Sequence, residues 1–480
     1  MRSAALPAGP PGLSLPATLR LGLFQACLGC LAVIFSGLLN RVMISELAFP
    51  GLLVGGALAF EQFVAPSRVW FGQISDSRPV AGRRRVPYIW LGTLLFCGLA
   101  VLSVPLIFHV ASLLRADSGA AVFGGIAALC GLFAAYGLAI SLATTPYLAL
   151  VIDRTTEKER PRAVGLIWCL LTVGIVIGAI SISVSLRSLD GVSDPAVLRE
   201  VLLGFMGRVV AVVLGLTLVA TVGMEPRSHG ASIAAEPSSN PGSIEREDGP
   251  TLRQAWSLVT SSRQVMVFFS FLVLFTLGLF LQDPILESYG AEVFGMPIAA
   301  TASLNAIWGM GTLVGLLLGG LWVVPQLGKL KAARLGCQLI VVTLVLLLLA
   351  GFVARVPLLQ VVMALFGLAA GMATNSALVL MLDLTLPQAA GTFVGVWGLA
   401  QAISRAFGKV LGGGLLDMGR VLQQRWFPSS PSPFPAYALV LGVETLVAIA
   451  ALLMLSRVNL QQFREDTGRS LSKVLALELG

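Results

Sequence analysis

The chain has 480 residues, of which 56% are hydrophobic and only 12% are charged. Soluble globular proteins carry about 25% charged residues, so this composition excludes a single water-soluble core and indicates that a lipid bilayer is the solvent for most of the chain. The net charge of +8 does not indicate nucleic-acid binding, because the basic residues form short clusters between apolar runs, as topology signals do.

Twelve apolar runs follow one another, each long enough to cross about 30 Å of hydrocarbon as a helix. The first six are 19–39, 50–71, 87–111, 119–143, 163–186 and 201–223. The other six are 264–283, 299–323, 334–354, 358–380, 392–416 and 436–456. We therefore predict an all-α membrane protein with twelve transmembrane helices in two six-helix halves.

Polar segments delimit these halves. We predict a cytoplasmic tail over 1–18, an N-terminal half over 19–223, a cytoplasmic linker over 224–262, a C-terminal half over 263–456 and a cytoplasmic amphipathic tail over 457–480. The linker is rich in Pro, Gly and charged residues, and its stretch 252–258 is a candidate surface helix. The spacing of apolar residues in the C-terminal tail is typical of a helix lying in the membrane interface.

The distribution of Lys and Arg predicts the orientation. With the N-terminus in the cytoplasm, 22 of the 32 basic residues fall on the cytoplasmic side and 8 on the opposite side. Arg68 is counted with the first group and Arg208 with the second, while Arg405 and Lys409 lie inside a predicted span. This bias predicts that both termini are cytoplasmic.

The two halves resemble each other in sequence. Thr144 and Asp153, at the end of the fourth run, have the same spacing as Thr374 and Asp383 at the end of the tenth. Because both segments occupy the same position within their halves, we predict a duplication with parallel repeats about an axis along the membrane normal.

The connection between the second and third runs carries a recognisable motif. It consists of Gly72, Asp76, Arg78, Arg83, Arg84 and Arg85. It resembles the major facilitator loop motif, with one extra residue between the Asp and the first Arg. In this interpretation the glycine lets two helices approach, the Asp accepts hydrogen bonds from a neighbouring helix N-terminus, and the arginines anchor the loop at the cytoplasmic surface. The resemblance implies the major facilitator fold and does not specify a substrate.

Ionisable residues inside the membrane are costly and are functional candidates. The candidates for binding a pigment or another substrate are Glu61, Gln62, His109, Asp283, Glu287, Arg405, Lys409 and Glu444. Arg405 and Lys409 lie one helical turn apart, so we expect an anionic partner. Glu61 has several open roles: proton coupling, pairing with a base, ligation of a metal or of pigment magnesium, or an interhelical hydrogen bond. For His109 we expect a hydrogen bond rather than ligation.

Other motifs have structural interpretations. Cys27 and Cys30 form a C-x-x-C without a second pair or a nearby His, so we predict helix packing rather than a metal site or disulfide. Gly311, Gly315 and Gly319 predict a close helix contact within the bundle, with a partner interface as the alternative. No nucleotide loop, zinc-ligand spacing or nucleophile elbow is found, so we predict no enzymatic activity.

The residues of the first two runs carry a family resemblance. The strings Leu23-Phe24-Gln25, Gly37–Leu47 and Gln62–Asp76 resemble the bacteriochlorophyll/chlorophyll delivery (PucC/LhaA-like) branch of the major facilitators, and look most like its cyanobacterial members. The first motif of this family is matched by Asn40, Arg41 and Glu46. A structural role, an Arg–Glu pair between helix ends, would be enough to explain these residues.

The resemblance implies an assembly factor that delivers chlorophyll to light-harvesting or photosystem subunits in a thylakoid or plasma membrane. Chlorophyll would be a transient cargo, and membrane lipid and the recipient subunits would be partners, with no nucleic acid. Two alternatives stay open: a proton-coupled transporter of a small amphiphilic solute, and an assembly scaffold without cargo. The substitution Glu61→Gln separates them, since a transporter would lose proton coupling and a scaffold would be indifferent.

Overall fold

The computed structural model describes residues 13–116, 119–155, 160–187, 194–225, 263–383, 390–426 and 432–459. The predicted linker beyond 225, its candidate helix over 252–258, and the predicted C-terminal tail beyond 459 lie outside these ranges. For some helical residues, including Asp76 and Asp383, only the backbone is described. The predicted roles of these segments and side chains stay predictions.

Six helical spans form the first half. The first span is Leu15–Val33, continued by two π-helical segments, Ile34–Leu39 and Val42–Glu46. The second span consists of Gly51–Phe63 and Ser67–Ser77, and the next four are Val86–Arg115, Gly119–Arg154, Arg160–Ser185 and Pro195–Thr221.

The second half repeats this layout. The seventh span consists of Arg263–Phe280 and Leu286–Glu292, and the eighth of Ile298–Leu318, the π-helical Gly319–Val323 and Val324–Leu327. The ninth to twelfth spans are Lys329–Val353, Val356–Asp383, Ala390–Trp426 and Phe434–Ser456.

Within the described ranges, ten helical stretches are long and apolar enough to cross a membrane. The other two spans depart from this pattern for visible reasons. The second is interrupted by a turn at 64–66 that contains a proline, and the eleventh carries Arg405 and Lys409 within its apolar stretch. Several spans are longer than their apolar runs, because a helix continues past the hydrocarbon boundary while its backbone hydrogen bonds are still satisfied.

Successive spans run in opposite directions, which defines two sides of the molecule. We call the side of the connection 78–85 the loop-motif side and the side of the connection 47–50 the far side. The orientation predicted from the basic residues places the loop-motif side in the cytoplasm.

Two pairs of spans form the most extensive contacts between the halves. The second span packs against the eleventh, and the fifth against the eighth. In a duplicated bundle the second span corresponds to the eighth, and the fifth span to the eleventh. The two contacts are therefore equivalent, and the interface has the symmetry expected of a duplication.

Glycines bring the second and eleventh spans together at backbone distance. A Cβ added to Gly413 would overlap the carbonyl of Gly51, and one added to Gly55 would overlap the carbonyl of Lys409. No larger side chain fits these positions without moving a helix backbone. The two halves are therefore closely packed at this contact.

The glycine face of the eighth span also packs inside the bundle. Added Cβ atoms on Gly311 and Gly315 would overlap the carbonyls of Ala364 and Leu368, and one on Gly319 would lie 3.2 Å from the Cα of Met372. All three contacts are with the tenth span. The prediction of a close contact within the bundle is confirmed.

A candidate site between the two halves

Arg41 connects the halves on the far side. Its guanidinium is 4% exposed, and Nη1 donates to the Thr301 hydroxyl at 2.5 Å while Nη2 donates to the Met296 carbonyl at 3.1 Å. Nη2 also lies 3.4 Å from Oε1 of Glu46. The predicted Arg–Glu pair is therefore present, but within the first span rather than between two helix ends. The stronger bonds of Arg41 go to the opposite half.

Neighbouring polar residues add further bonds between the halves. The buried Asn40 donates from Nδ2 to the Pro284 carbonyl at 2.6 Å. Ser45 donates to Oε1 of Glu292 at 3.2 Å, and Arg420, which belongs to the same half as Glu292, donates to the same oxygen at 3.0 Å. We call this set of contacts, together with those of Arg41 and Asp417, the far-side latch.

Asp417 completes the latch by capping a helix of the other half. Its two carboxylate oxygens accept hydrogen bonds from the backbone N–H groups of Gly51 and Leu52, each at 2.7 Å. These are unpaired donors at the N-terminus of the second span, where a carboxylate is also favoured by the helix dipole. A residue of the eleventh span thus supplies the cap that the second span lacks in its own sequence.

The loop-motif side is held together differently. Glu225, which follows the sixth span, accepts hydrogen bonds from the backbone N–H groups of Arg84, Arg85 and Val86 at 2.5 to 3.1 Å. It therefore caps the third span. Both partners belong to the first half.

Arg85 adds a second contact within the first half. Its Nε lies 3.1 Å from Oδ2 of Asp153, and Nη1 donates to the Ser75 hydroxyl at 2.8 Å. We predict from the sequence that the arginine cluster anchors the loop at the membrane surface. For Arg85 this description is incomplete, because its side chain also joins the second, third and fourth spans. A Cβ added to Gly72 would lie 3.4 Å from the Thr145 Cγ2 of the fourth span, an ordinary contact, so the role of this glycine in helix approach stays a prediction.

The remaining arginines of the motif have smaller roles. The Arg78 carbonyl accepts a hydrogen bond from the Tyr88 hydroxyl at 2.7 Å. The Arg83 backbone pairs with Val80 in a short antiparallel bridge. These contacts shape the loop and do not reach the second half.

The space between the halves contains charged groups from both. The Arg405 guanidinium lies over the Phe280 ring, 4.3 Å from its centroid, and interacts electrostatically with Asp283, Glu61 and Arg68. Arg405 is nevertheless exposed. An exposed side chain that interacts with both halves indicates that the gap between them is accessible at this level.

Asp283 is the expected anionic partner of the cation pair. It interacts electrostatically with both Lys409 and Arg405. Lys409 is only 7% exposed, so a nearby carboxylate offsets part of the cost of burying its charge.

Glu287 extends the same group of charges toward the latch. It is 2% exposed, accepts a hydrogen bond from Nδ2 of Asn305 at 2.5 Å, and interacts electrostatically with Arg41 and Asp283. A Cβ on Gly37 would overlap its carboxylate. The glycine therefore lets a buried acid of the seventh span reach the first span.

Glu444 is the most enclosed acid of the group. It is 0% exposed, accepts a weak hydrogen bond from the backbone N–H of Gln282 at 3.4 Å, and lies within electrostatic range of Asp283. Gln62 contacts Glu61, with Nε2 and Oε1 3.5 Å apart. His109 is exposed on the third span and does not join these groups among the described residues.

The structure thus brings together most of the predicted candidates. Among the described residues we define the central cluster as four acids, Glu61, Asp283, Glu287 and Glu444, and four bases, Arg41, Arg68, Arg405 and Lys409. Arg68 was missed as a candidate because it lies near the end of the second apolar run, where a basic residue reads as a topology signal. Asn305 was missed because an amide inside an apolar run gives no charge signal.

Comparison with known proteins identifies the family. The PUCC protein family profile matches residues 38–463. The chain belongs to this family. It is 30% identical over 411 residues to Protein PucC of Rhodovulum sulfidophilum, covering 85% of this chain and 87% of that protein. It is 29% identical over 450 residues to a Rhodobacter capsulatus protein named bacteriochlorophyll synthase 44.5 kDa chain, covering 91% and 93%.

Solved structures identify the fold. A bacterial homologue of the human lysosomal transporter Spinster, in an inward-facing and unoccupied conformation, superposes with a TM-score of 0.68 at 14% identity, covering 95% of this chain and 99% of that one. The predicted major facilitator fold and the family resemblance are both confirmed. With ten apolar helices of spanning length among the described residues, this family member is an integral membrane protein.

Proposed function

We propose that this protein binds chlorophyll in the space between its halves and delivers it to light-harvesting or photosystem apoproteins. Chlorophyll would be a transient cargo, the recipient subunits and membrane lipid its partners, and the protein would not be an enzyme. The site would lie in a thylakoid or plasma membrane with both termini cytoplasmic. Family membership supports the pigment-related role, and the central cluster is the single observation that carries the assignment to this space.

The charge balance of the central cluster favours a neutral ligand. Its acids and bases interact with one another both within a half, as Asp283 does with Lys409, and across the halves, as Glu287 does with Arg41. A strongly charged solute that displaced the partner of a buried member, such as Lys409 or Glu287, would leave that charge unpaired at a cost of several kcal/mol. A largely uncharged amphiphile such as chlorophyll requires no such displacement.

Aromatic rings beside the cluster favour a flat ligand. Phe280 lies under Arg405 and has its ring centroid 6.4 Å from that of Trp308 on the eighth span. Aromatic faces with a few polar groups are the usual lining of small-molecule sites, and offset stacking on such rings contributes about 0.5–1.5 kcal/mol per pair. A macrocycle could stack here while a polar edge meets Arg405.

The test is purification of the full chain in mild detergent from a pigment-producing host. We expect chlorophyll or an antenna subunit to co-purify, as seen by red absorption bands and mass spectrometry. Trp308→Ala should reduce the retained pigment severalfold, and His109→Ala, the matched control outside the cluster, should leave it unchanged. Absence of pigment and of photosynthetic partners, together with normal antenna in a deletion strain, contradicts the proposal.

A proton-coupled transporter of a small amphiphile is the second candidate, and the surroundings of Glu61 favour it. This half-buried carboxylate interacts electrostatically with Arg68 of its own half and with Arg405 of the other half, so a relative movement of the halves would change its surroundings. In proteoliposomes with an imposed pH gradient, Glu61→Gln should abolish the proton dependence of uptake if transport is the function. A cargo-free scaffold would show neither uptake nor pigment.

A further inference from the structure

A second cavity lies within the first half, away from the central cluster. Its volume is about 260 Å³, and it opens between the first, fifth and sixth spans. Its lining includes Ile177, Ser181, Ser185, Arg208, Val212 and Leu216. Ile177 and Val212 are 53% and 59% exposed, so the mouth of the cavity faces the outside of the bundle, where the acyl chains of the bilayer lie.

Arg208 is the only charged residue of this lining. The sequence counts it with the basic residues of the far side, and the structure places it within the sixth span, Pro195–Thr221. It is exposed and, within the described ranges, makes no hydrogen bond or ion pair. An unpaired cation inside a membrane span is costly and marks a functional position.

The cavity is polar at one end and apolar at the other. Ser185 is the last residue of the fifth span, and Ser181 lies one turn before it, so both hydroxyls line the part nearer the far side. Val212 and Leu216 line the part nearer the loop-motif side, beyond Arg208 along the sixth span. Side chains lean toward the N-terminus of their helix, so Arg208 reaches toward the far side as well.

The size fits a hydrocarbon chain better than a macrocycle. A cavity of about 150 Å³ in another protein holds a benzene molecule, so about 260 Å³ accommodates several methylene groups in a row. An open side toward the bilayer lets the rest of a lipid remain among its neighbours.

We propose that this cavity binds an anionic phospholipid of the far-side leaflet, with its phosphate on Arg208 and one acyl chain in the apolar part. A guanidinium binds phosphate through two parallel hydrogen bonds, and Ser181 and Ser185 supply further donors. The site is separate from the proposed pigment space and does not depend on that proposal.

The test reconstitutes the full chain in nanodiscs of equal parts phosphatidylglycerol and phosphatidylcholine, followed by native mass spectrometry of the released protein. We expect phosphatidylglycerol to be retained in preference to phosphatidylcholine. Arg208→Gln should lower that retention about tenfold, which corresponds to the loss of one charge-assisted contact. Arg199→Gln removes an exposed cation from the same helix outside the cavity, and it should change nothing.

Two further arms make the result decisive. Val212→Trp fills the mouth of the cavity while keeping Arg208, and it should also lower retention. Excess inorganic phosphate should not displace phosphatidylglycerol if the acyl chain contributes to binding. Displacement by phosphate would indicate a simple anion site and would overturn the proposal. Equal retention in wild type and Arg208→Gln would mean that Arg208 only extends to the membrane surface, and this too would overturn it. Pigment retention measured in Val212→Trp shows separately whether the central space is intact.

Discussion

On the far side, Arg41, Ser45 and Asp417 bond across the two halves, whereas on the loop-motif side Glu225 and Arg85 bond within the first half. Separating the halves on the far side would therefore break buried hydrogen bonds. On the loop-motif side the described hydrogen bonds stay within one half, so separation would leave them intact. Among the described residues, polar bonds between the halves are made on the far side. The halves can part on the loop-motif side at lower cost, and the exposure of Arg405 agrees with this.

The largest effect on this contrast should come from Arg41→Met. The substitution removes the bonds to Thr301 and Met296 and leaves Glu287 without its nearby cation, so the folded state should lose about 3–5 kcal/mol, the cost of breaking a buried charge pair. The apparent melting temperature should fall, and backbone amides around Met296 should exchange faster with solvent. Arg115→Met, an exposed far-side cation, is the control and should behave as wild type.

Gly413→Ala should have the next largest effect. The added methyl group overlaps the Gly51 carbonyl, so the second and eleventh spans must move apart, at a cost of about 1–3 kcal/mol. Gly398→Ala is the matched control in the same helix, because its Cβ would meet nothing within 4 Å. Equal melting temperatures for the two variants would show that the close contact does not hold the halves together.

Asp417→Ala should have a smaller, local effect of about 1 kcal/mol, the usual value of a helix cap. The amides of Gly51 and Leu52 should exchange faster, since both lose their acceptor. Asp194→Ala removes a cap of the same kind within one half, where Asp194 accepts from the Ala196 N–H at 2.9 Å. Asp194→Ala should lower the stability of the fold by a similar amount without changing amide exchange at Gly51. Faster exchange at Gly51 in Asp194→Ala would contradict a local effect of each cap.

The smallest effect should come from Asp153→Asn on the loop-motif side. The Asp153 side chain is 50% exposed, and such surface pairs contribute about 0–1 kcal/mol. The melting temperature should change little, and exchange at Met296 should stay as in wild type. Faster exchange at Met296 would show that the two sides are coupled.

The sequence predicted the fold, the order of the spans and their division into two halves, because hydrocarbon thickness and hydropathy set them, but it did not show which spans pack together. It was less informative about span ends. The first span continues to Glu46 and the fourth to Arg154, since hydropathy marks the membrane and not the last helical hydrogen bond. The turn at 64–66 lies inside an apolar run and was not predicted.

Charge alone predicted part of the site. It selected Asp283, Arg405 and Lys409, which the structure brings together. It could not show that Asp417 caps the second span. Such contacts join residues far apart in the chain, so their detection requires the packed structure.

The π-helical segments of the first span absorb extra residues without changing the face on which the following residues lie. Each residue of an α-helix turns the chain by about 100°, and a π-segment accommodates an extra residue in one wide turn. Removing one residue from Ile34–Leu39 would therefore restore a regular turn and leave Asn40 and Arg41 facing the opposite half. A codon lost from the regular stretch Leu15–Val33 would instead turn that stretch by about 100° relative to Asn40 and Arg41, so the first span tolerates a changed length in one place and not in the other.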